Sequence, residues 1–123
     1  METYMEYQFT NDKPIYLQLM DVFKVAIISG ELPKGARLES VRDLAMVAKV
    51  NPNTMQKALS ELERIGLVRT ERTSGRFITD DEDLIDSMKK EVAEKEIEEF
   101  LAKMDALGLT KEAVIKMISD FSK

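Results

Sequence analysis

The stretch that decides the fold reads Asn51-Pro52-Asn53-Thr54-Met55-Gln56-Lys57-Ala58-Leu59. Asn51 is a residue type that caps helix N-termini, and Pro52 suits the first helical position, where a missing N–H costs nothing. Apolar residues then recur at helical spacing, namely Met55, Ala58, Leu59 and Leu62. Gly66 suits the end of such a helix. The pattern predicts a helix with one buried face and a polar start.

Two further helices are predicted before this one. Residues 14–29 carry a continuous apolar face and end at Gly30. A shorter helix should begin near Ser40, because Ser40 and Asp43 have the spacing of a capping box, and stop around Lys49. The brief connection from Ala48 to Asn51 then predicts a helix-turn-helix.

A short hairpin is predicted after the third helix. Residues 67–70 and 76–79 alternate as strands do, and the small residues 73–75 suit the turn between them. The chain is therefore expected to be mainly α with a small β-hairpin, forming a winged helix-turn-helix domain over residues 1–80.

Residues 81–123 are expected to form a two-helix C-terminal dimerisation region. The acidic run 80–83 is either a linker or the first turn of a helix, where acids favour the positive dipole end. One apolar stripe is predicted from Leu84 to Leu107, Gly108 should break it, and Thr110 should cap a last helix. The predicted dimerisation residues are Leu84, Met88, Ile97, Phe100, Leu101, Met104, Val114, Met117, Ile118 and Phe121. The alternative is that this stripe packs on the winged helix-turn-helix domain of the same chain.

The composition narrows the function classes. The chain has no Cys and no His, which argues against cysteine nucleophiles, most zinc sites and the commonest general base. We expect no enzyme activity, no cofactor and no metal. Neither a signal peptide nor a membrane span is evident, so we expect a cytoplasmic protein without membrane contact.

The net charge of −5 hides an uneven distribution. Residues 81–123 hold 7 basic and 12 acidic residues, whereas residues 34–76 hold 9 basic and 5 acidic ones. A locally basic region beside an acidic tail is compatible with binding to DNA phosphates, although an ordinary mixed surface has the same balance.

The start of the third helix carries the chemistry of base recognition. A recognition helix enters the major groove by its N-terminal residues, and Asn, Gln, Thr and Lys side chains can bond base edges or phosphates there. Residues 51, 53, 54, 56 and 57 are of these types. The alternative is that Asn51 and Thr54 merely cap a surface helix.

Residues 35–78 resemble the winged-helix reader of the GntR family of bacterial regulators. Ser40-Val41-Arg42-Asp43-Leu44-Ala45 looks like one family signature, and the segments 50–59 and 61–67 resemble its recognition helix. The form Asn51-Pro52-Asn53-Thr54 and the opening Pro14-Ile15-Tyr16-Leu17-Gln18 are similar to the YtrA subfamily.

The resemblance implies double-stranded DNA as a partner and a homodimeric repressor on an inverted-repeat operator, often upstream of its own operon and of membrane transport genes. Together with the residue types, it gives the expected DNA-binding set of Ser40, Arg42, Asn51, Asn53, Thr54, Gln56, Lys57, Gly75 and Arg76. Lys49 stands where the family often has glycine, so a positive φ would strain it.

A second function class stays open. A winged helix also serves as a protein-interaction adaptor without sequence-specific DNA contact. The polar, partly basic start of the third helix argues against that alternative, because interaction surfaces are more often apolar or aromatic. The sequence identifies no effector ligand and leaves its existence open.

Overall fold

The computed structural model describes residues 5–121, which form five helices and one antiparallel hairpin. The elements are α1 (Ile15–Ser29), α2 (Val41–Ala48), α3 (Pro52–Arg64), β1 (Val68–Glu71), β2 (Gly75–Ile78), α4 (Glu82–Ala106) and α5 (Lys111–Asp120). The predicted fold class is confirmed. The described chain divides into two compact units, one ending at Met88 and one beginning at Lys89. The predicted functional division at residue 80 stays a prediction.

The first unit is built around the inner face of α3. This helix packs against α1, α2 and β1, and its stripe of small and large apolar residues has no accessible surface. The largest fully buried side chains of this core are Leu19, Phe23, Met55, Leu59, Leu62, Leu67, Val68 and Ile78. Because the inner stripe of α3 is fixed in this way, its opposite face must point outward.

Local capping sets the ends of α2 and the start of α3. Ser40 Oγ accepts a hydrogen bond from the Asp43 amide at 3.1 Å, as the capping-box spacing predicts. Lys49 ends α2 with φ 60° and ψ 46°, the left-handed conformation. The family glycine position therefore does require a positive φ, and Lys49 is strained there by roughly 1 kcal/mol.

The wing is a two-stranded hairpin with a third segment alongside. Val68 lies opposite Ile78, and Glu71 lies opposite Gly75. β1 begins one residue later than predicted and β2 one residue earlier. Residues 36–38 also pair with β2, since Leu38 N donates to Arg76 O at 2.8 Å and Arg37 bridges Phe77. The sequence analysis missed this segment because three residues are too short to show an alternating pattern.

The N-terminal segment is tied to α1 by one buried amide. The Gln18 side chain is 7% exposed, and its Nε2 donates to the backbone oxygens of Thr10 at 3.0 Å and Lys13 at 2.7 Å. Its Oε1 accepts from Thr10 N at 2.8 Å. Gln18 is therefore fully hydrogen-bonded, as a buried amide must be to avoid a desolvation penalty.

The acidic run 80–83 lies at the start of α4. This agrees with its interpretation as the first turn of a helix and not with a linker. Asp81 Oδ1 accepts from Leu84 N at 3.0 Å, so Asp81 caps the helix. Glu82 pairs with Lys34 at 2.6 Å, and this hydrogen bond lowers the pKa of Glu82. Asp80 lies 3.3 Å from Arg69. Three of the four acids thus have backbone or cationic partners within the first unit, and Asp83 lies in the first turn of the helix.

The single apolar stripe predicted along α4 is wrong. At about 100° per residue, the apolar positions up to Val92 and those from Ala93 onward are centred roughly 150° apart around the helix axis. Ile85 is buried in the core of the first unit, and Leu84 and Met88 pack against that core. The burial of Leu84 and Met88 is therefore explained within one chain and is no evidence for a dimer.

The strain at Lys49 gives a stability prediction. We expect Lys49→Gly to raise the free energy of unfolding by about 1 kcal/mol, because glycine adopts positive φ without a steric penalty. Lys49→Ala is the matched control, since it removes the charge and keeps the strain. Urea denaturation of the three proteins measures the difference, and equal gains for both variants would assign the effect to charge.

Candidate nucleic-acid interface

The outer face of α3 presents the polar side chains expected to meet DNA. Asn53, Gln56 and Lys57 are exposed, whereas Met55 and Ala58 beside them in the sequence are buried. Thr54 is half-buried. The helical spacing thus separates the core-forming residues from the polar ones, and the polar set lies within the first two turns.

Two of the expected DNA-binding residues cap the N-termini of helices. Asn51 Oδ1 accepts from the Asn53 amide at 2.7 Å, and Ser40 Oγ accepts from the Asp43 amide at 3.1 Å. The capping interpretation of Asn51 is therefore correct for its oxygen, while Thr54 makes no such cap. The Asn51 side-chain NH₂ keeps its donors for another partner.

Neighbouring side chains orient the longer members of the set. Lys57 Nζ lies 4.1 Å from the centre of the Tyr16 ring, which is cation–π geometry. Gln56 Nε2 donates to Ser60 Oγ at 3.0 Å. A cleft of about 440 Å³ separates the starts of α1 and α3, and its walls include Tyr16, Asn53 and Lys57.

The cationic side chains near α3 differ in whether they form ion pairs with acidic residues. Arg69 is paired with Glu71 and Asp80 and lies over the Phe77 ring. Arg42, at the start of α2, is exposed and makes no ion pair or hydrogen bond with another residue of the described part. Its charge is therefore available to an anionic partner.

The wing contains two of the expected residues and one that the sequence analysis missed. Gly75 has φ 111°, a conformation that side chains rarely adopt. Arg76 Nε is buried with no hydrogen-bond partner among residues 5–121. Arg37 lies against Gly75 and donates to the wing turn. No local motif marks Arg37, because its contacts are about 37 residues away in the chain.

The remaining expected dimerisation residues lie in the second unit and are largely exposed. Val114 is buried, but Phe121 is 83% exposed, Ile118 60% and Met117 55%. Ile97 and Phe100 are also exposed, and Leu101 and Met104 are half-buried. A groove of about 240 Å³ has walls formed by Phe100, Met104, Val114, Met117, Ile118 and Phe121.

Neither a metal site nor a membrane-spanning helix is present in the part of the chain that the structure describes. Within residues 5–121, no three His, Cys, Asp or Glu side chains are grouped so that they could hold a metal ion. In the same part of the chain, every helix is too short or too polar to cross a membrane.

Comparison with known proteins identifies the relatives of this architecture. Residues 15–78 match the family model described as "Bacterial regulatory proteins, gntR family". The HTH-type transcriptional regulator YhcF of Bacillus subtilis is 41% identical over 119 residues, which cover 97% of this chain and 98% of that protein. The HTH-type transcriptional repressor YtrA of B. subtilis is 42% identical over 67 residues, 54% of this chain and 52% of that protein.

Solved structures give the same result. A GntR family transcriptional regulator from Listeria monocytogenes superimposes with a TM-score of 0.82 at 35% identity, covering 90% of this chain and 97% of that one. The similarity therefore extends beyond the winged helix into the C-terminal helices.

The Asn51 cap gives a second stability prediction. We expect Asn51→Ala to lower the free energy of unfolding by about 1 kcal/mol, because the Asn53 amide loses its acceptor. Asn51→Asp keeps an acceptor and should stay close to the parent protein. Asn53→Ala is the control, because the Asn53 side chain makes no cap. Thermal unfolding checks the order, and a stable Asn51→Ala protein would contradict the structural role of the cap.

Proposed function

Because the chain belongs to the GntR family of bacterial regulatory proteins, in its YtrA-like subfamily, it is a DNA-binding transcription regulator, and we propose that it acts as a homodimeric repressor on an inverted-repeat operator. The observation that carries the proposed DNA binding is the outward polar start of α3, together with Arg42 at the start of α2, whose side chain has no ion pair within residues 5–121. The relatives YhcF of B. subtilis and the Listeria protein are both named transcriptional regulators, which supports a regulator without enzyme activity.

We assign base recognition to the exposed face of α3. Asn53 and Gln56 offer amide groups that can bond an adenine edge with two hydrogen bonds, and Lys57 can reach guanine or a phosphate. Thr54 and Asn51 lie in the same two turns, and the Asn51 side-chain NH₂ makes no hydrogen bond within the described residues. The α3 start is supported by α1 through the contact between Lys57 and Tyr16, which limits the positions that Lys57 can take.

Arg42 and the wing are assigned to the DNA backbone and minor groove. Arg42 lies at the start of α2, close in sequence to the Ser40 cap, and no acidic side chain of residues 5–121 pairs with it. Gly75 allows the positive φ that the wing turn adopts, and Arg76 follows it at the start of β2. Phosphate contacts of this kind fix the register of a reader on the duplex without specifying sequence.

The second unit is assigned to dimerisation. Its apolar groove and its exposed Ile118 and Phe121 form a face that one chain does not cover. A contiguous exposed apolar surface of this kind is typical of an interaction site. A second copy is the simplest occupant, since two identical faces can bury each other across a two-fold axis.

Two readers on a two-fold axis require a two-fold symmetric DNA site. The half-site centres should lie about one helical turn apart, roughly 10 bp. Its relative YtrA of B. subtilis is named a repressor, which supports repression over activation. We also propose that the protein regulates its own operon and membrane transport genes. Its proposed location is the cytoplasm.

A protein-interaction adaptor is the second candidate. The observation that favours it is on α2, where Met46 and Val47 are 67% and 65% exposed. A gel shift with DNA from upstream of the protein's own gene separates the two functions. Binding that resists scrambled competitor DNA supports the regulator of that gene. Equal binding to both DNAs would support the adaptor instead.

The assigned roles predict two kinds of binding defect. Arg42→Gln and Arg76→Gln should weaken binding to every sequence and reduce the salt slope by about one unit each, because a phosphate contact is lost. Asn53→Ala and Gln56→Ala should cost about 1–3 kcal/mol on the preferred site alone. Arg64→Gln, at the far end of α3, is the control. Titrations on specific and scrambled DNA at several salt concentrations decide, and identical losses on both DNAs would reject the division.

The dimer assignment predicts a contrast between two residues of α5. Ile118→Glu places a charge in the apolar groove and should yield monomers or insoluble protein. Ile115→Glu is the matched control, because Ile115 is similarly exposed at 53% and lies outside the groove. Light scattering measures the mass of each. Soluble dimers for both variants would place the interface elsewhere.

A further inference from the structure

Arg37 joins the segment before α2 to the turn of the wing. Its Nε donates to the Ser74 backbone oxygen at 2.7 Å. Its own backbone bridges Phe77, and the neighbouring residue Leu38 bonds the Arg76 oxygen at 2.8 Å. The base of this side chain is therefore held by β2, while its Nε reaches the turn that leads into the same strand.

The guanidinium of Arg37 also lies against the glycine of the wing. A Cβ added to Gly75 would come within 3.3 Å of both Nε and Nη2 of Arg37. Gly75 thus leaves the space that the guanidinium occupies, and its φ of 111° directs the backbone around the turn. In the described part of the chain, the terminal nitrogens of Arg37 make no hydrogen bond.

We propose that Arg37 is a positioning residue for the wing: its Nε hydrogen bond to Ser74 holds the turn in the conformation that approaches DNA. This inference rests on the proposed use of the wing as a DNA contact. A two-stranded hairpin is marginally stable by itself, so its tip needs a contact from outside the hairpin to stay fixed. Ordering the tip before binding reduces the entropy lost on binding.

Two substitutions separate the donor from the charge. In Arg37→Gln the side-chain nitrogen stands at the place of Arg Nε, so the donor stays and the charge is lost. In Arg37→Lys the charge stays and a methylene replaces Nε. Arg37→Met loses both. If Arg37 positions the wing, DNA affinity should be retained in the variant that keeps the donor. If Arg37 contacts a phosphate, DNA affinity should be retained in the variant that keeps the charge.

The probe is the upstream DNA fragment that the parent protein prefers over scrambled DNA. We expect Arg37→Gln to bind within about threefold of the parent protein, and Arg37→Lys and Arg37→Met to bind about three- to tenfold more weakly, as the loss of one exposed intramolecular hydrogen bond implies. Arg64→Gln controls for the loss of one positive charge.

Footprinting provides a readout that a general loss of stability would not give. At saturating Arg37→Lys protein, hydroxyl-radical protection should fade where the wing lies, while the guanine N7 atoms under α3 stay protected from dimethyl sulfate. Uniform fading of both signals, or binding that follows charge instead of the donor, would overturn the proposal. Absence of any sequence preference in the parent protein would instead contradict the proposed function.

Discussion

The burial of the inner stripe of α3 is the constraint on which the rest of the reader depends. Met55, Ala58, Leu59 and Leu62 have no accessible surface, so the rotation of the helix about its axis is fixed. That rotation exposes Asn53, Gln56 and Lys57 together. The packing energy of the core thus determines which amides and cations are presented, because rotating the helix about its axis would expose large apolar side chains to water.

Local signals predicted most of the reader from the sequence. The N-caps Ser40, Asn51 and Thr110 act as their residue types and positions indicate. Lys49 shows that a resemblance can also give a backbone conformation, because the expected positive φ is present. These predictions succeeded since caps and turns depend on residues within three or four positions of each other.

Features that depend on distant contacts escaped the sequence analysis. Arg37 meets Ser74 through the fold alone, and no motif joins the two positions. In α4, apolar residues at spacings of three and four suggested one stripe, but the series passes to a different face at the adjacent residues Val92 and Ala93, which lie about 100° apart around the helix. Leu84 and Met88 consequently pack on the reader core, and the exposed apolar face begins further along the chain.

We propose that two copies of this winged helix recognise a symmetric DNA site. Selection of bound duplexes from a random pool, with the full chain at physiological salt, tests it most directly. The account predicts enrichment of an inverted repeat with half-site centres roughly 10 bp apart. Enrichment of a single asymmetric half-site, or no enrichment after repeated rounds, would contradict it.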